Sequence, residues 1–482
     1  MTTAAEPLAT CDMPADRHST LLESLRQAIG DAHVVTDSAG MAPRLIEDRG
    51  LRVGTALALL KPASTQEVAA CMRLCHAAKV SVIPQGGNTG LAGGGVPDGG
   101  IIITTERLNR IRQVDATNVS MTVEAGCILA NIQQAAEDVD ALFPLSLASE
   151  GSCQIGGNLS TNAGGTAVLR YGNTRDLVLG IEVVLPDGRI LNGLSSLRKN
   201  NTGYDLRNLF IGAEGTLGII TAAVLKLFPK PGARATALVA CSGADTALAL
   251  YERMRNRAAD TLSTFEYIER LGLQMVVDHA PGCSDPMAQA HPAYCLVELT
   301  SVGLQSDLDQ RMETALEHAF EAEEILDAVI GASEAQKDAL WALRENLSEA
   351  QKSEGASIKH DISVPVSRLA DFLSVATQAC MDFMPGLRPC PFGHFGDGNL
   401  HFNLSRPVDM EDAEFLAQYA AFNRIVHDIV QDMGGSFSAE HGIGTLKRAE
   451  LRRYKDPVAL ELMEQIKSAI DPGNLMNPGK VL

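Results

Sequence analysis

The sequence has little positive charge, few aromatic residues and no long apolar run. Its 482 residues include 40 Lys and Arg against 59 Asp and Glu, for a formal net charge of −19, and only 4% are aromatic. An acidic chain repels phosphate backbones, so nucleic acid is not an expected partner. No segment offers about 18 consecutive apolar residues, so no membrane span is predicted. The start has no basic stretch followed by an apolar one, and we expect a cytoplasmic location.

Cysteine is sparse and is not arranged for cross-linking. Ten cysteines are scattered through the chain without a Cys-x-x-Cys pair. A disulfide framework and a thiolate zinc site are therefore not predicted. Cys71 and Cys75 lie four residues apart, but they share an apolar stripe with Val68 and Met72. Core packing on a helix is the better interpretation of this pair.

The length of the chain and its turn residues predict more than one domain. A chain of 482 residues exceeds what one hydrophobic core usually serves. Residues 56–60 and 80–83 are typical of strands, and Ser64 with Glu67 forms a capping-box pattern between them, which predicts a βαβ unit. Residues 229–232, Pro-Lys-Pro-Gly, stop regular structure and predict a domain boundary. Gly434 and Gly435 interrupt the chain again before a final helix.

The densest motif is a glycine loop after the second of these strands. Residues 84–95 read Pro-Gln-Gly-Gly-Asn-Thr-Gly-Leu-Ala-Gly-Gly-Gly. Glycines permit positive φ and let backbone N–H groups approach an anion closely, and a diphosphate is the natural occupant. Neither the Gly-Lys-Ser/Thr of a Walker loop nor the Gly-x-Gly-x-x-Gly spacing of a Rossmann turn is present, so NAD is not indicated.

Two further glycine-rich stretches, residues 156–165 and 212–218, complete a recognisable pattern. Together with the run 196–206 leading into Leu209-Phe210-Ile211-Gly212, they resemble the FAD-linked D-2-hydroxy acid dehydrogenases, typified by D-2-hydroxyglutarate dehydrogenases, within the vanillyl-alcohol-oxidase and methylhydroxylase flavoprotein superfamily. The resemblance runs from about residue 40 to the C-terminus. It implies an α+β protein with a two-subdomain FAD-binding domain over residues 1–232, an α+β substrate (cap) domain over 233–433, and a C-terminal segment, 434–482, that completes the active site.

The resemblance also implies which residues contact FAD. In that family the first glycine loop holds the diphosphate, and the stretch near residues 151–165 lies along the ribityl chain and isoalloxazine ring. The implied FAD contacts are Pro84, Gly86, Gly87, Asn88, Thr89, Gly90, Ser149, Gly156, Asn162 and Ile219. Some superfamily members tether flavin through a histidine, but this loop has Asn88 and no nearby His, so we expect FAD to be bound non-covalently.

A second motif places two histidines around a glycine turn. If Asp397-Gly398 is the two-residue loop of a hairpin, His394 and His401 lie directly opposite each other, with Cβ atoms about 5 Å apart. Asn403 would then lie on the same face as His401. A longer loop could also bring these groups together.

Glu440 and His441 add a carboxylate and an imidazole in a glycine-flanked loop. Two His and one carboxylate suit zinc, manganese or ferrous iron. In the resembled family His394, His401 and Glu440 bind the metal, which we expect to be zinc. Oxidation of an alcohol by flavin also requires a base for the hydroxyl proton, and His441, beside Glu440, is the candidate.

Recognition of an anionic substrate requires cations, for which Arg344 and Lys359 are candidates. Either alone is more often a solvated surface charge, but the resemblance implies that Arg344, Ser348, Lys359 and Asn403 contact the substrate. Ser348 stands where the nearest relatives have threonine and retains the hydroxyl.

These features predict FAD- and metal-dependent oxidation of a D-2-hydroxy acid, with D-2-hydroxyglutarate giving 2-oxoglutarate. D-Lactate, glycolate or D-malate is an alternative substrate. A non-redox FAD-dependent group-transfer enzyme is an alternative of another class. Electrons would pass to a separate acceptor, such as an electron-transfer flavoprotein or a quinone-linked carrier, and a homodimer is common among relatives.

Overall fold

The computed structural model of the protein describes residues 15–47, 49–50, 52–303 and 307–482. They form two compact units. The glycine-loop unit comprises the described residues up to Gly165 together with Gly172–Pro229 and Glu440–Leu482. The seven-stranded unit comprises Thr166–Tyr171 and the described residues of Lys230–Ala439.

A mixed four-stranded sheet lies at the start of the glycine-loop unit. Its strands, in spatial order, are Val34–Val35, Ala58–Leu60, Ile101–Thr104 and Val82–Gln85. Ala58–Leu60 and Val82–Gln85 both pair in parallel with Ile101–Thr104, and the helix Thr65–Ala78 connects them, which confirms the predicted βαβ unit. Cys71 and Cys75 are buried on that helix, as expected for core residues.

The cap of this helix differs in one bond from the predicted capping box. Ser64 Oγ accepts from the Glu67 N–H at 3.1 Å, as predicted. The Glu67 carboxylate, however, accepts from the N–H of Ala63 at 2.8 Å rather than from that of Ser64. The helix start is still fixed from both directions, because each side chain satisfies one backbone donor.

The rest of the glycine-loop unit is built around an antiparallel five-stranded sheet. In spatial order its strands are Ile111–Asp115, Ser120–Glu124, Ile219–Lys226, Val178–Val184 and Ile190–Gly193. Phe228–Pro229 pairs with Ala141–Leu142. The helices of this unit are Ala15–Ile29, Ser38–Met41, Thr65–Ala78, Leu129–Glu137, Ile155–Thr161, Arg207–Phe210, Arg448–Tyr454 and Pro457–Ile470, with 3₁₀ turns at Asp31–His33 and Ala42–Arg44.

The other unit contains one antiparallel sheet of seven strands. In spatial order they are Asp327–Ile330, Ala233–Cys241, Ala293–Ser301, Leu262–Glu269, Arg388–His394, Asn399–Ser405 and Ser357–Ser363. Its helices are Val168–Tyr171, Ala244–Ala258, Arg270–His279, Leu308–Glu321, Glu334–Glu345, Leu347–Ser353, Leu369–Phe383, Asp412–Leu416 and Tyr419–Asp432, with 3₁₀ turns at Ala259–Thr261 and Val366–Arg368. Mainly antiparallel sheets combined with helices in each unit agree with the predicted α+β class.

Among the helices of the described residues, none combines the length and the apolar character that crossing a bilayer requires.

Candidate functional site

The glycine loop opens a cleft within the glycine-loop unit. Residues 86–96 follow the strand Val82–Gln85, and the cleft contains about 990 Å³ of empty space, open solvent included. Of the residues implied to contact FAD, eight line it: Pro84, Gly86, Gly87, Asn88, Thr89, Gly90, Gly156 and Ile219. His441 also lines this cleft, so the implied base and the implied cofactor contacts share one wall.

Some of the cleft-lining glycines are needed for close packing, and others leave the backbone open to a ligand. A Cβ at Gly87 would overlap the carbonyl oxygen of Ser152, and one at Gly156 would lie 2.7 Å from Cβ of Ala125, so both positions need glycine for packing. Gly90 and Gly157 instead have open space where a Cβ would be. They leave backbone exposed to a ligand, as a nest for an anion requires.

The cleft also contains a polar atom that fits a ligand. Asn158 is buried on the helix Ile155–Thr161, and its Oδ1 has no hydrogen-bond partner. A buried polar atom without a partner costs free energy unless a ligand or water satisfies it. The donor and acceptor groups and the exposed glycine backbone therefore fit the polar parts of FAD.

Two of the implied FAD contacts are not among the cleft-lining residues. The Ser149 carbonyl accepts from the N–H groups of Ser152 (2.9 Å) and Cys153 (2.8 Å). Asn162 ends the helix Ile155–Thr161 in the left-handed conformation, and its Oδ1 accepts from the N–H of Arg175 at 2.9 Å. In the structure both residues shape the backbone next to the cleft.

Sequence reasoning missed Glu214, a buried carboxylate that lines the cleft. It accepts from the N–H groups of Ile443 and Gly444, each at 2.7 Å, and so holds the loop that begins at His441. Burial raises the pKa of Glu214 although both hydrogen bonds oppose the rise. The only sequence signal was a carboxylate between the glycines of 212–218, and its partners lie 229 and 230 residues away.

Glu440, the implied metal carboxylate, is anchored in the same unit. Its Oε1 accepts from the N–H of Gly165 at 2.8 Å. A Cβ at Gly164 would overlap that same oxygen. The second glycine stretch thus provides a donor for Glu440 and the space that its carboxylate occupies.

In the seven-stranded unit, the predicted hairpin exists but its register is wrong by two residues. The loop between Arg388–His394 and Asn399–Ser405 has four residues, 395–398, and His401 faces Phe392 rather than His394. A two-residue shift keeps every side chain on its face, because strands alternate with period two. His394 and His401 therefore remain neighbours, with ring centroids 5.5 Å apart and planes at 76°.

A buried carboxylate that the sequence did not indicate orients His394. Glu266, on the strand Leu262–Glu269, is 1% exposed and accepts from Nδ1 of His394 and from Nε of Arg344, both at 2.6 Å. Burial alone would raise the pKa of Glu266, but the charges and hydrogen bonds of His394 and Arg344 outweigh it and hold the pKa at about 2. Because an ionised carboxylate only accepts, Nδ1 of His394 is the donor. When the ring is in its neutral form, Nε2 then carries the lone pair that a metal requires.

The implied substrate residues occupy different environments in this unit. Arg344 is buried, and its guanidinium carbon lies 4.9 Å from the ring centre of Phe392. Asn403 is buried opposite Lys359, and its amide donates to Gln351 Oε1 at 2.8 Å. Ser348 is exposed on the helix Leu347–Ser353. The structure thus brings Arg344 next to His394 through Glu266 and places Asn403 next to Lys359, while Ser348 has no such neighbour among the described contacts.

Two family models match the chain. A model for an FAD binding domain matches residues 56–193, and a model for the C-terminal domain of FAD linked oxidases matches residues 230–481. The first includes the cleft-forming glycine loop, and the second includes the histidine hairpin and the loop with Glu440 and His441.

Curated relatives match most of the chain. The D-2-hydroxyglutarate dehydrogenase, mitochondrial, of Bos taurus is 39% identical over 93% of this chain and 81% of its own length. The protein of the same name from Rattus norvegicus is 38% identical over 89% and 78%. A D-2-hydroxyglutarate dehydrogenase from Xanthomonas citri pv. viticola is 38% identical over 88% and 89%.

The expected cytoplasmic location is contradicted by these relatives. The bovine and rat proteins are both named as mitochondrial enzymes, which points to mitochondria rather than cytoplasm. The expectation rested on residues 1–15 lacking a basic and then apolar stretch, a pattern that identifies secretory signals and does not report on mitochondrial import.

Solved structures agree on the fold. p-Cresol methylhydroxylase with substrate bound superposes with a TM-score of 0.78 at 17% identity, covering 98% of each chain. An alkyldihydroxyacetonephosphate synthase gives a TM-score of 0.76 at 17% identity, covering 98% of this chain and 88% of its own. At this identity the likeness concerns fold alone, and it confirms the predicted vanillyl-alcohol-oxidase-type architecture.

Proposed function

We propose a reaction for this chain, which belongs to the FAD-linked oxidase family and is an FAD-dependent hydroxy-acid dehydrogenase. The proposed reaction is the oxidation of D-2-hydroxyglutarate to 2-oxoglutarate. The observation that carries the substrate assignment is the 38–39% identity to enzymes of that name along about nine tenths of the chain. The buried cation Arg344 supports it, since an acid substrate requires one.

Arg344 is suited to hold a substrate carboxylate. Its Nε donates to Glu266, and its planar group packs over Phe392, so the two terminal nitrogens are held in one orientation. A guanidinium fixed in this way binds a carboxylate through two parallel hydrogen bonds. Lys359 and Asn403, paired across neighbouring strands, would supply a second charge and an amide for the rest of the acid.

His441 is the proposed base. FAD held by the cleft-lining residues would supply the acceptor for the hydride on C2 of the substrate. The hydroxyl proton must leave in the same oxidation, and a neutral imidazole can take it. The products are then the 2-oxo acid, the reduced cofactor and a proton on His441, so electrons and protons balance.

We further propose that His394 and His401, with Glu440 as the third ligand, bind a divalent metal, zinc in the first instance. Support comes from the neighbouring imidazoles, the orientation of His394 by Glu266, and the anchoring of Glu440 by Gly165. Such an ion would stabilise the developing alkoxide as a Lewis acid.

Flavin binding is proposed to be non-covalent, and acid precipitation of the protein should leave the flavin in the supernatant.

Electron transfer and assembly are proposals from the family resemblance. The electrons would leave to an electron-transfer flavoprotein or a quinone-linked carrier, and the enzyme would form a homodimer. A relative from Saccharomyces cerevisiae, 33% identical over 88% of this chain, is named D-2-hydroxyglutarate–pyruvate transhydrogenase. Pyruvate is therefore an acceptor that should be assayed beside these carriers.

The test is anaerobic mixing of the metal-replete protein with D- and L-2-hydroxyglutarate, D-lactate, D-malate and glycolate. Loss of the flavin absorbance near ~450 nm reports reduction of the cofactor. We expect D-2-hydroxyglutarate to bleach it and a chelator to prevent the bleaching. Preference for another of the D-acids or for glycolate would change the substrate assignment and leave the mechanism as proposed. Bleaching by dithionite alone would favour a non-redox group-transfer enzyme such as the synthase that shares this fold.

A further inference from the structure

We infer that Glu266 is a positioning residue that orients the substrate-binding Arg344 and the metal ligand His394 at the same time. The inference rests on the proposed function, because it takes the roles of those two residues from it. Glu266 itself would contact neither the substrate nor the metal.

Each oxygen of the Glu266 carboxylate accepts a hydrogen bond from a different partner. Oε2 accepts from Nε of Arg344 and Oε1 from Nδ1 of His394, both at 2.6 Å. The backbone holds the second contact in place, because Glu266 and His394 are directly paired across adjacent strands. All three side chains are buried, at 1%, 9% and 8% exposure for Glu266, Arg344 and His394. Water therefore competes little for these bonds, and each side chain is held in a single orientation.

The contact to His394 decides which ring nitrogen can bind metal. A carboxylate that accepts at Nδ1 fixes the proton there, so Nε2 carries the lone pair. Metal-binding histidines commonly donate their second nitrogen to a carboxylate in this manner, which sets the ring orientation and raises the basicity of the ligand.

The contact to Arg344 decides which edge of the guanidinium remains for the substrate. With Nε bonded to Glu266 and one face over Phe392, the two terminal nitrogens form the edge left for a carboxylate. One carboxylate thus sets the relative placement of the substrate cation and the metal ligand. A change at Glu266 should therefore affect metal binding and substrate binding together.

Glu298, on the adjacent strand Ala293–Ser301, provides a matched control. Its Oε2 accepts from the Thr236 hydroxyl at 2.9 Å and from Trp341 Nε1 at 2.7 Å. Neither partner belongs to the proposed site. Replacing Glu298 with Gln changes a carboxylate of the same sheet without touching Arg344 or His394.

The experiment compares wild type, Glu266→Gln and Glu298→Gln, each loaded with FAD and stripped of metal. Zn²⁺ affinity is measured by competition with a chromophoric chelator, and KM and kcat for D-2-hydroxyglutarate are measured after reloading. Gln keeps the shape but offers one acceptor in place of two, so one donor loses its partner. We expect Glu266→Gln to weaken Zn²⁺ binding about 10- to 100-fold and to raise KM roughly tenfold, as loss of one charge-assisted hydrogen bond would. Glu298→Gln should match wild type in both.

The outcomes separate this inference from the proposed function. If wild type takes up no Zn²⁺, the metal assignment is wrong, and the inference about Glu266 is overturned as well. If wild type binds Zn²⁺ and Glu266→Gln binds it equally well with an unchanged KM, the inference alone is overturned.

A measurement on wild type covers the case in which Glu266→Gln does not fold. The ¹⁵N spectrum of histidine-labelled, metal-free protein assigns the tautomer of His394, whose signals are identified by their absence in His394→Gln. A proton on Nδ1 supports the inference, and a proton on Nε2 overturns it.

Discussion

Three glutamates show how the surroundings of a carboxyl group set its pKa. Glu266 faces His394 and Arg344, and its pKa falls to about 2. Glu269, three residues along the same strand, is half-buried, and no cation lowers its pKa, which the burial of its carboxyl group raises to about 7. Glu214 receives two backbone N–H groups, which do not fully offset the effect of burial. The comparison shows that directly hydrogen-bonded basic side chains lower the pKa of the Glu266 carboxyl, whereas the more distant charge of Lys447 does not offset the burial of Glu214.

Replacing His441 should remove the base and leave the cofactor bound. His441 lines the cleft, but it is one of many lining residues, ten of which are glycines. We expect His441→Gln to slow anaerobic flavin reduction by D-2-hydroxyglutarate by 10²- to 10⁴-fold, the usual contribution of a general base, with normal FAD content. His76→Gln, at an exposed position of the same unit, is the control. Flavin reduction at the wild-type rate would refute the assignment.

Glu269 should make stability depend on pH. Its folded pKa of about 7 lies above the ordinary value of 4.5. The neutral form is therefore favoured in the fold, and this contribution is complete below pH 4.5 and lost as the pH rises through 7. The loss corresponds to at most about 3 kcal/mol by pH 8. Chemical unfolding between pH 5 and 8 should show this decline in wild type and a smaller one in Glu269→Gln.

The exposed Glu349, changed to Gln, serves as the control for that experiment. Its variant should keep the wild-type pH dependence. Equal slopes for wild type and Glu269→Gln would mean that another group causes the decline.

At the scale of elements, the site depends on short backbone segments with little choice of residue. The glycine loop packs against Ser152 at one position and opens to the cleft at another. In the histidine hairpin, Gly393 has φ of +152°, and a Cβ there would lie 2.8 Å from the carbonyl oxygen of Asn399. Glycine at this position lets two strands approach closely while His394 and His401 stay on one face.

Glycine-to-alanine changes in the glycine loop should separate its role in packing from its role in FAD binding. In Gly87→Ala the new Cβ overlaps the Ser152 carbonyl, and we expect a loss of roughly 1–3 kcal/mol in the unfolding free energy of the FAD-free protein. In Gly90→Ala the Cβ meets open space, so the stability of the FAD-free protein should be unchanged while FAD binds more weakly. Denaturant unfolding and FAD titration measure the two effects. Equal stability losses in both variants would contradict this division of tasks.

At the scale of the molecule, each unit has its own sheets and its own buried hydrophobic clusters. Ile101, Val68 and Cys71 belong to the core of the glycine-loop unit, whereas Phe372 and Phe402 belong to that of the seven-stranded unit. The three-part division into residues 1–232, 233–433 and 434–482 remains a prediction. The compact units place the chain after residue 439 with the glycine-loop unit, so His441 and Glu214 share one unit.

Cofactor binding should protect one unit in preference to the other. The cleft walls come from segments near residues 84–96, 153–161, 214–220 and 441, all in the glycine-loop unit. A ligand stabilises the state that it binds. We expect hydrogen exchange to slow in these segments when FAD is added to FAD-free protein, with the strand Ala293–Ser301 as an internal control. Equal protection of both units would contradict this expectation.

Local structure and family membership could be predicted from the order of the residues alone. Apolar periodicity predicted the helix with Cys71 and Cys75, the strand and glycine patterns predicted the βαβ unit and the cleft, and the ordered motifs identified the flavoprotein family that the comparisons confirm. The roles given to His441, Arg344 and the metal ligands remain predictions.

Contacts between side chains that are distant in the sequence follow from the folded arrangement of the strands. Glu266 lies 78 residues from Arg344 and 128 from His394, and Glu214 lies 229 residues from Ile443. The hairpin register was also decided there, because Phe392 and His401 are fixed by pairing with neighbouring strands as well as by the turn. Propensities and caps act over a few residues, whereas the partners of a buried charge depend on how whole strands are placed side by side.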